Sequence, residues 1–355
     1  MILRKYVCLV LLLPFFVLGQ NPSTKKQKVI FDCDLGDDID DAYALAYLLT
    51  LQSDYEILGI TTCYGRTEDR ALLAKKFLVE TGQTHIPVYA GRNTSSSSTR
   101  ANWYADQFYW AKGFKPKNAE SVKTPTNKRP ASHATLAMTS GTPYPEGPLS
   151  VQKNSSAAHF ISEMLQKYPG EVIVFSVGPV TNLADVEKAK PGTLRLSKKI
   201  YAMFGSFRSG YAPNSPIDPE WNVLCDIPSA QMFVQSGAHI AYAGLDVTSM
   251  VKLDRGKRDI LLQRQSPLTN ALSGLYVLWG QETPTLFDPV AIAMAKDPIL
   301  FNTEKVHVYV DENGFTRIDP TKPPNAEIGT KIDVKKFIDQ LMRLYVTQSF
   351  SPKNS

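Results

Sequence analysis

Apolar positions in this chain come in short unbroken runs that alternate with longer amphipathic stretches. Val29-Ile30-Phe31 opens the first run, which reads as a buried strand ending at a polar turn around Gly36. Residues 42–49 continue as a buried helix, and 55–62 form a second strand. Over 66–81, Ala71, Leu72, Ala74, Phe77 and Leu78 recur at helical spacing before Gly82, and 86–91 give a short third strand. Later come a helix over 157–168, a strand over 172–177, and a helix starting within Gly178-Pro179-Val180-Thr181-Asn182. Strands follow over 201–205 and 239–246, then a helix beginning at Pro289 with Asp288 as its cap. A hairpin pairs 306–310 with 316–318 around Asn313-Gly314, and an amphipathic helix over 331–344 closes the chain. This alternation implies an α/β fold: one large open, mostly parallel β-sheet flanked by helices, with right-handed crossovers.

Two stretches fall outside that rhythm. Arg4-Lys5 precedes a continuous apolar segment over 6–18, followed by Gly19 and polar Gln20-Asn21. That is the layout of a secretory signal peptide, too short for a comfortable membrane span. Residues 1–19 are therefore expected to be removed and the protein to be secreted or periplasmic, with no stable membrane insertion after cleavage. Residues 92–152, with Trp103, Tyr104, Phe108, Tyr109 and Trp110 and then a Lys/Pro/Thr/Ser-rich passage, have no clean period. They read as an irregular insertion, either a lid or a segment packing its aromatics on the domain. With no repeat or linker, 20–355 reads as one domain carrying that insertion.

Composition narrows the partners. Loss of 1–19 removes Arg4 and Lys5 and no acid, so the formal net charge of +5 falls to +3. No basic block or aromatic-basic interleaving argues for nucleic acid. Cys33, Cys63 and Cys225 are too sparse for a disulfide framework and read as buried thiols. A homo-oligomer is compatible with all of this.

The chemistry concentrates after the first strand, where six aspartates (Asp32, Asp34, Asp37, Asp38, Asp40 and Asp41) fall within ten residues. Two carboxylates about 4 Å apart repel by roughly 4 kcal/mol at an effective dielectric of 20. A helix N-terminus relieves only about 0.3–1 kcal/mol per charge. A hard divalent cation such as calcium, which takes several carboxylate oxygens, relieves more. Helix capping and solvated turns are the plainer roles for Asp37 and Asp38.

The turn resembles the signature of the inosine–uridine-preferring nucleoside hydrolase family, Asp-x-Asp-x-Gly followed by Asp-Asp. Asp32, Asp34, Gly36, Asp40 and Asp41 match it, with Leu35 for the usual Pro and two extra residues before the Asp-Asp pair. Gly59-Ile60-Thr61-Thr62, residues 86–91, Gly178-Pro179-Val180-Thr181-Asn182, Asn214 with Glu220-Trp221-Asn222, Gly244-Leu245-Asp246-Val247-Thr248 and Phe287-Asp288-Pro289 extend the similarity. The resemblance implies a nucleoside hydrolase fold with a Rossmann-like core and calcium-dependent hydrolysis of ribonucleosides to ribose and free base, as in purine salvage. It implies that Asp34, Asp41, Asp288 and the Val177 carbonyl hold the metal, with Asp34 taking a proton from water and Asn222 also catalytic. Asp40 and Asn222 would hold the ribose hydroxyls, with Asn214 and Glu220 near the 5′-hydroxyl. Trp221, Met203 and Arg66 complete the substrate-binding set, Arg66 standing where the family commonly has Asn. Phe287 stands where the family has a His, so no proton donor for the departing base comes from that position. Purine or activated aryl ribosides are then the expected substrates. Two other readings remain: a secreted, catalytically impaired binding homologue, and a phosphotransferase of the haloacid-dehalogenase kind, which also puts Asp-x-Asp after its first strand.

Overall fold

Strands covered on both faces need apolar residues at every position, and that is why the runs above are unbroken. The computed structural model describes residues 25–94, 156–212 and 215–350. The expected signal peptide, the insertion from Ser95 onward and Asn214 lie outside the described residues.

Within them, β1 (Gln27–Cys33), β2 (Tyr55–Thr62), β3 (Val88–Ala90), β4 (Val172–Ser176), β5 (Lys199–Met203) and β6 (Ile240–Ala243) are all parallel. β7 (Phe301–Val306) joins antiparallel to β10 (Ala326–Ile332), giving an eight-stranded sheet in the order β3-β2-β1-β4-β5-β6-β10-β7. β8 (Val308–Val310) and β9 (Thr316–Ile318) form a separate hairpin.

Side-chain alternation along each strand splits the core into two layers. Val29, Phe31 and Phe175 face one layer, packed with α1 (Asp40–Thr50), α9 (Pro267–Trp279), α10 (Phe287–Lys296) and α11 (Val334–Thr347). Ile30, Val172 and Val174 face the other, under α3 (Ser156–Lys167), α4 (Thr181–Ala189) and α6 (Ile227–Val234). Every residue of α1 but Thr50 is buried, so this helix is apolar nearly all round. The Tyr345 hydroxyl on α11 donates to the Tyr43 carbonyl at 2.6 Å and ties the last helix to the first.

Several expected boundaries move. The strand expected over 239–246 ends at Ala243, and Asp246 enters the short helix α7 (Leu245–Thr248). The helix expected from Pro289 begins at Phe287 with Leu286 as its cap, so Asp288 sits inside the first turn. The closing helix starts at Val334 because Lys331 and Ile332 belong to β10, and Val306 ends β7 rather than opening the hairpin.

Candidate functional site

The strand order reverses direction beside β1, with β2 and β3 on one side and β4, β5 and β6 on the other. In open α/β sheets, that switch point leaves a crevice beyond the carboxyl ends of the strands. The chain fills it with the β1–α1 turn, the residues after β4 and the long loop after β5. Gly36 makes the first of these turns at φ +113°, a region that side chains avoid.

Asp32 is anchored behind the crevice. Its Oδ1 accepts from Thr61 Oγ1 at 2.6 Å and from Asn182 Nδ2 at 2.7 Å, tying β1, β2 and α4 together. Complete burial pushes its pKa up to about 7. The other acids face a cavity of about 670 Å³, whose acidic wall is Asp34, Asp37, Asp38, Asp40, Asp41 and Asp288. Asp34 N–H donates to Asp41 Oδ1 at 3.1 Å, and Asp38 Oδ1 accepts from Ile39 N–H at 2.6 Å, the plain turn role expected of it.

Neither Asp40 nor Asp41 caps α1, and Asp288 does not cap α10. Carboxylate oxygens of Asp40, Asp41 and Asp288 instead lie within 4.8 Å of one another. Burial first, and then mutual repulsion among the acids, drives all three well above the ordinary carboxylate range. Asp34 rises to about 7, chiefly by burial, with Arg70 pulling down and Asp37 pushing up. Oxygens each about 2.3–2.6 Å from one calcium ion are at most about 5 Å apart. The cluster's spacing and all-oxygen donor set therefore fit a hard divalent cation.

The remaining wall comes from β4, β5 and the segments after them. Asn222 Nδ2 donates to the Val177 carbonyl at 3.2 Å and the Met203 carbonyl at 3.0 Å, bridging the ends of β4 and β5. Glu220 caps α5 (Trp221–Leu224) through Asn222 N–H at 2.9 Å, and its other oxygen accepts from Gly205 N–H at 3.0 Å. Burial raises its pKa to about 7 despite those donors. Val177, Met203, Glu220, Trp221 and Asn222 thus line one cavity with the acids, as do Trp279 and Phe287.

Arg66 does not join them. Its guanidinium pairs with Asp69 on the first turn of α2 (Thr67–Glu80), and it is absent from the cavity lining among the described residues. The cation that does reach the acids is Arg70, four residues on and fully buried. Arg70 Nε donates to the Tyr64 carbonyl at 2.8 Å, Nη1 donates to the Asp34 carbonyl, and Nη2 has no hydrogen-bond partner among the described residues. The available signal was an Arg on the same helical face as Ala71, Ala74 and Phe77. Tyr211 and Gln281 also line the cavity and carried no such signal.

Two chemistries share this cavity: carboxylates that suit a cation and sugar hydroxyls, and aromatic rings that suit a planar ring. The profile described as inosine-uridine preferring nucleoside hydrolase matches residues 29–339. Uridine nucleosidase 1 of Arabidopsis thaliana is 29% identical over 305 residues, covering 82% of this chain and 80% of the relative. The pyrimidine-specific ribonucleoside hydrolase RihB of Escherichia coli O1:K1 / APEC is 24% identical over 345 residues, covering 91% and 99%. The solved purine-preferring ribonucleoside hydrolase from Gardnerella vaginalis superposes with a TM-score of 0.70 at 23% identity, over 90% of this chain and 98% of that one, a likeness of fold. The chain belongs to the inosine-uridine preferring nucleoside hydrolase family and is an N-ribohydrolase.

Proposed function

We propose that this enzyme hydrolyses the N-glycosidic bond of purine ribonucleosides, and the corresponding C1′–O bond of activated aryl ribosides, with calcium as its cation. The convergence of Asp40, Asp41 and Asp288 oxygens carries the reading. Asp34 and the Val177 carbonyl, on the same cavity wall, would complete an oxygen cage with Asp41 and Asp288. When bound, the cation lowers the pKa of a water and offsets the carboxylate charge.

The chain's own groups do the rest. Asp34 takes a proton from the attacking water. Asp40 and Asn222 hold the ribose hydroxyls, with Glu220 and Asn214 toward the 5′-hydroxyl. Negative charge along this wall favours the oxocarbenium-like sugar over the neutral nucleoside. Trp221, Trp279 and Phe287 line the cavity and supply aromatic surface for the base, and a purine gives more stacking area than a pyrimidine. The relatives carry uridine-, pyrimidine- and purine-directed names, so the preference rests on that wall.

Phe287 in place of a His favours a second reading, an impaired homologue that binds nucleosides without turning them over. Ribose release from inosine, uridine and a nitrophenyl riboside, with and without chelator, separates the two. The expected result is that inosine or the aryl riboside exceeds uridine, that chelator abolishes turnover and that calcium restores it. Binding without release supports the impaired homologue, uridine as best substrate overturns the purine preference, and chelator-insensitive turnover overturns calcium.

Residues 1–19 are further proposed to be a cleaved signal peptide, giving a secreted or periplasmic enzyme. The apolar segment behind Arg4-Lys5 supports this. The mass of the mature chain tests it, and an exported protein retaining residues 1–19 would refute cleavage.

A further inference from the structure

Resting on that reading, the loop after β5 answers the question Phe287 raises. A departing base carries off the electron pair of the broken C–N bond, and a proton delivered to it lowers the barrier. Phe287 has no proton to give. Its ring, however, packs edge-on against Tyr211, with centroids 6.1 Å apart and planes at 79°. Tyr211 therefore places a phenol ring directly beside the residue that stands where the family has its histidine, and both residues line the same cavity.

The hydroxyl is held for donation. Tyr211 Oη accepts the Trp221 N–H at 2.8 Å, and among the described residues its own proton has no acceptor. An N–H aimed at a phenol oxygen stabilises the charge that develops as the proton leaves. Desolvation and the nearby Glu220 carboxylate outweigh that N–H and keep the phenol above the ordinary tyrosine value, so it is protonated throughout the neutral range. The loop is anchored just before Tyr211 and at its backbone. Asp246 accepts from Phe207 N–H at 2.9 Å and Arg208 N–H at 2.7 Å, while Tyr211 N–H donates to Asp218 Oδ2 at 2.9 Å.

We propose that Tyr211 is the catalytic acid that protonates the leaving base. As the C1′–N bond breaks, its electron pair goes to the base, and the Tyr211 hydroxyl proton passes to a ring nitrogen. Water forms the new bond to C1′ and gives its proton to Asp34. Solvent at the partly exposed Tyr211 returns a proton to the phenolate, and Asp34 releases its own, so each turnover consumes one water.

The test is the ratio of kcat/KM for inosine, whose base needs a proton, to that for nitrophenyl riboside, whose leaving group does not. Tyr211→Phe keeps the ring and removes only the acid. The ratio is expected to fall by about 10²–10⁴, the usual worth of a positioned acid. A ratio within threefold of wild type, or equal losses on both substrates, overturns the assignment. A second measurement needs no variant: the wild-type solvent isotope effect is expected to be larger on inosine than on the aryl riboside, and equal effects count against Tyr211. A wild-type enzyme that hydrolyses neither substrate sinks the function itself, whereas one that hydrolyses both with an unmoved ratio sinks Tyr211 alone.

Discussion

At the scale of single residues, Arg70 and the aspartates in front of it form one electrostatic unit. A fully buried guanidinium is costly unless its charge is met, and here two carbonyls and the field of Asp34 and Asp41 meet it. The acids depend on it in turn, because Arg70 is what pulls Asp34 and Asp41 back toward the charged form. Arg70→Met should therefore leave buried carboxylates uncompensated and cost about 3–5 kcal/mol of stability in chelator, the usual penalty for removing one partner of a buried pair. Calcium should recover much of that loss, since it supplies the missing positive charge. Urea denaturation of both proteins in chelator and in calcium measures this, and an equal loss in both conditions would show that Arg70 serves only packing. The aspartates were legible from sequence because residue type, spacing and position after a strand coincide. Arg70 was not, because its role comes from which side of α2 meets the β1 turn, and Arg66 occupied the position that the motif singles out.

At the scale of elements, the helix starts decide which carboxylates are available. Ile39 and Leu286, not aspartates, stand at the N-cap positions of α1 and α10, so the acids one or two residues on keep their oxygens for the cavity. The motif marked Asp288 for the metal, but periodicity placed the helix start two residues late and offered Asp288 as its cap, because one-residue precision at a helix end is beyond periodicity. β7 was illegible for another reason: Asn302, Thr303, Glu304 and Lys305 are all exposed on this edge strand, so no alternation marks it. The loop after β4 shows how closely the elements meet. A Cβ on Gly178 would sit 2.6 Å from Asp34 Oδ1, 2.7 Å from Cys63 Sγ and 2.9 Å from Asp34 N. Backbone is among those neighbours, so Gly178→Ala must displace the β1 turn. A misplacement near 1 Å can cost about 10²-fold in rate. The variant is expected to fold and to lose turnover by about that factor, and wild-type kcat would show that the turn yields harmlessly.

At the scale of the whole molecule, the cavity stands where the sheet reverses, and the groups that meet there come from both ends of the chain. Asp40 and Asp41 enter on α1 and Asp288 on α10, while α11 packs over α1 through Tyr345 and an edge contact of Phe337 on Tyr47 at 6.2 Å. A cation gripping Asp41 and Asp288 would clip the first helix to the last third of the chain. An ion that binds only the folded chain stabilises it by about 2.7 kcal/mol at a hundred times its dissociation constant. For a chain this long, each kcal/mol moves Tm by about 2 °C. Chelation should therefore lower Tm by about 5 °C, and calcium should restore it in proportion to the logarithm of its concentration. Asp288→Ala tests whether the clip is the one described, because it removes the only one of the three carboxylates that arrives on α10. In that variant the calcium-dependent part of Tm should vanish. A chelator effect as large as in wild type would mean that the ion sits elsewhere, and the metal assignment to Asp41 and Asp288 would fall with it.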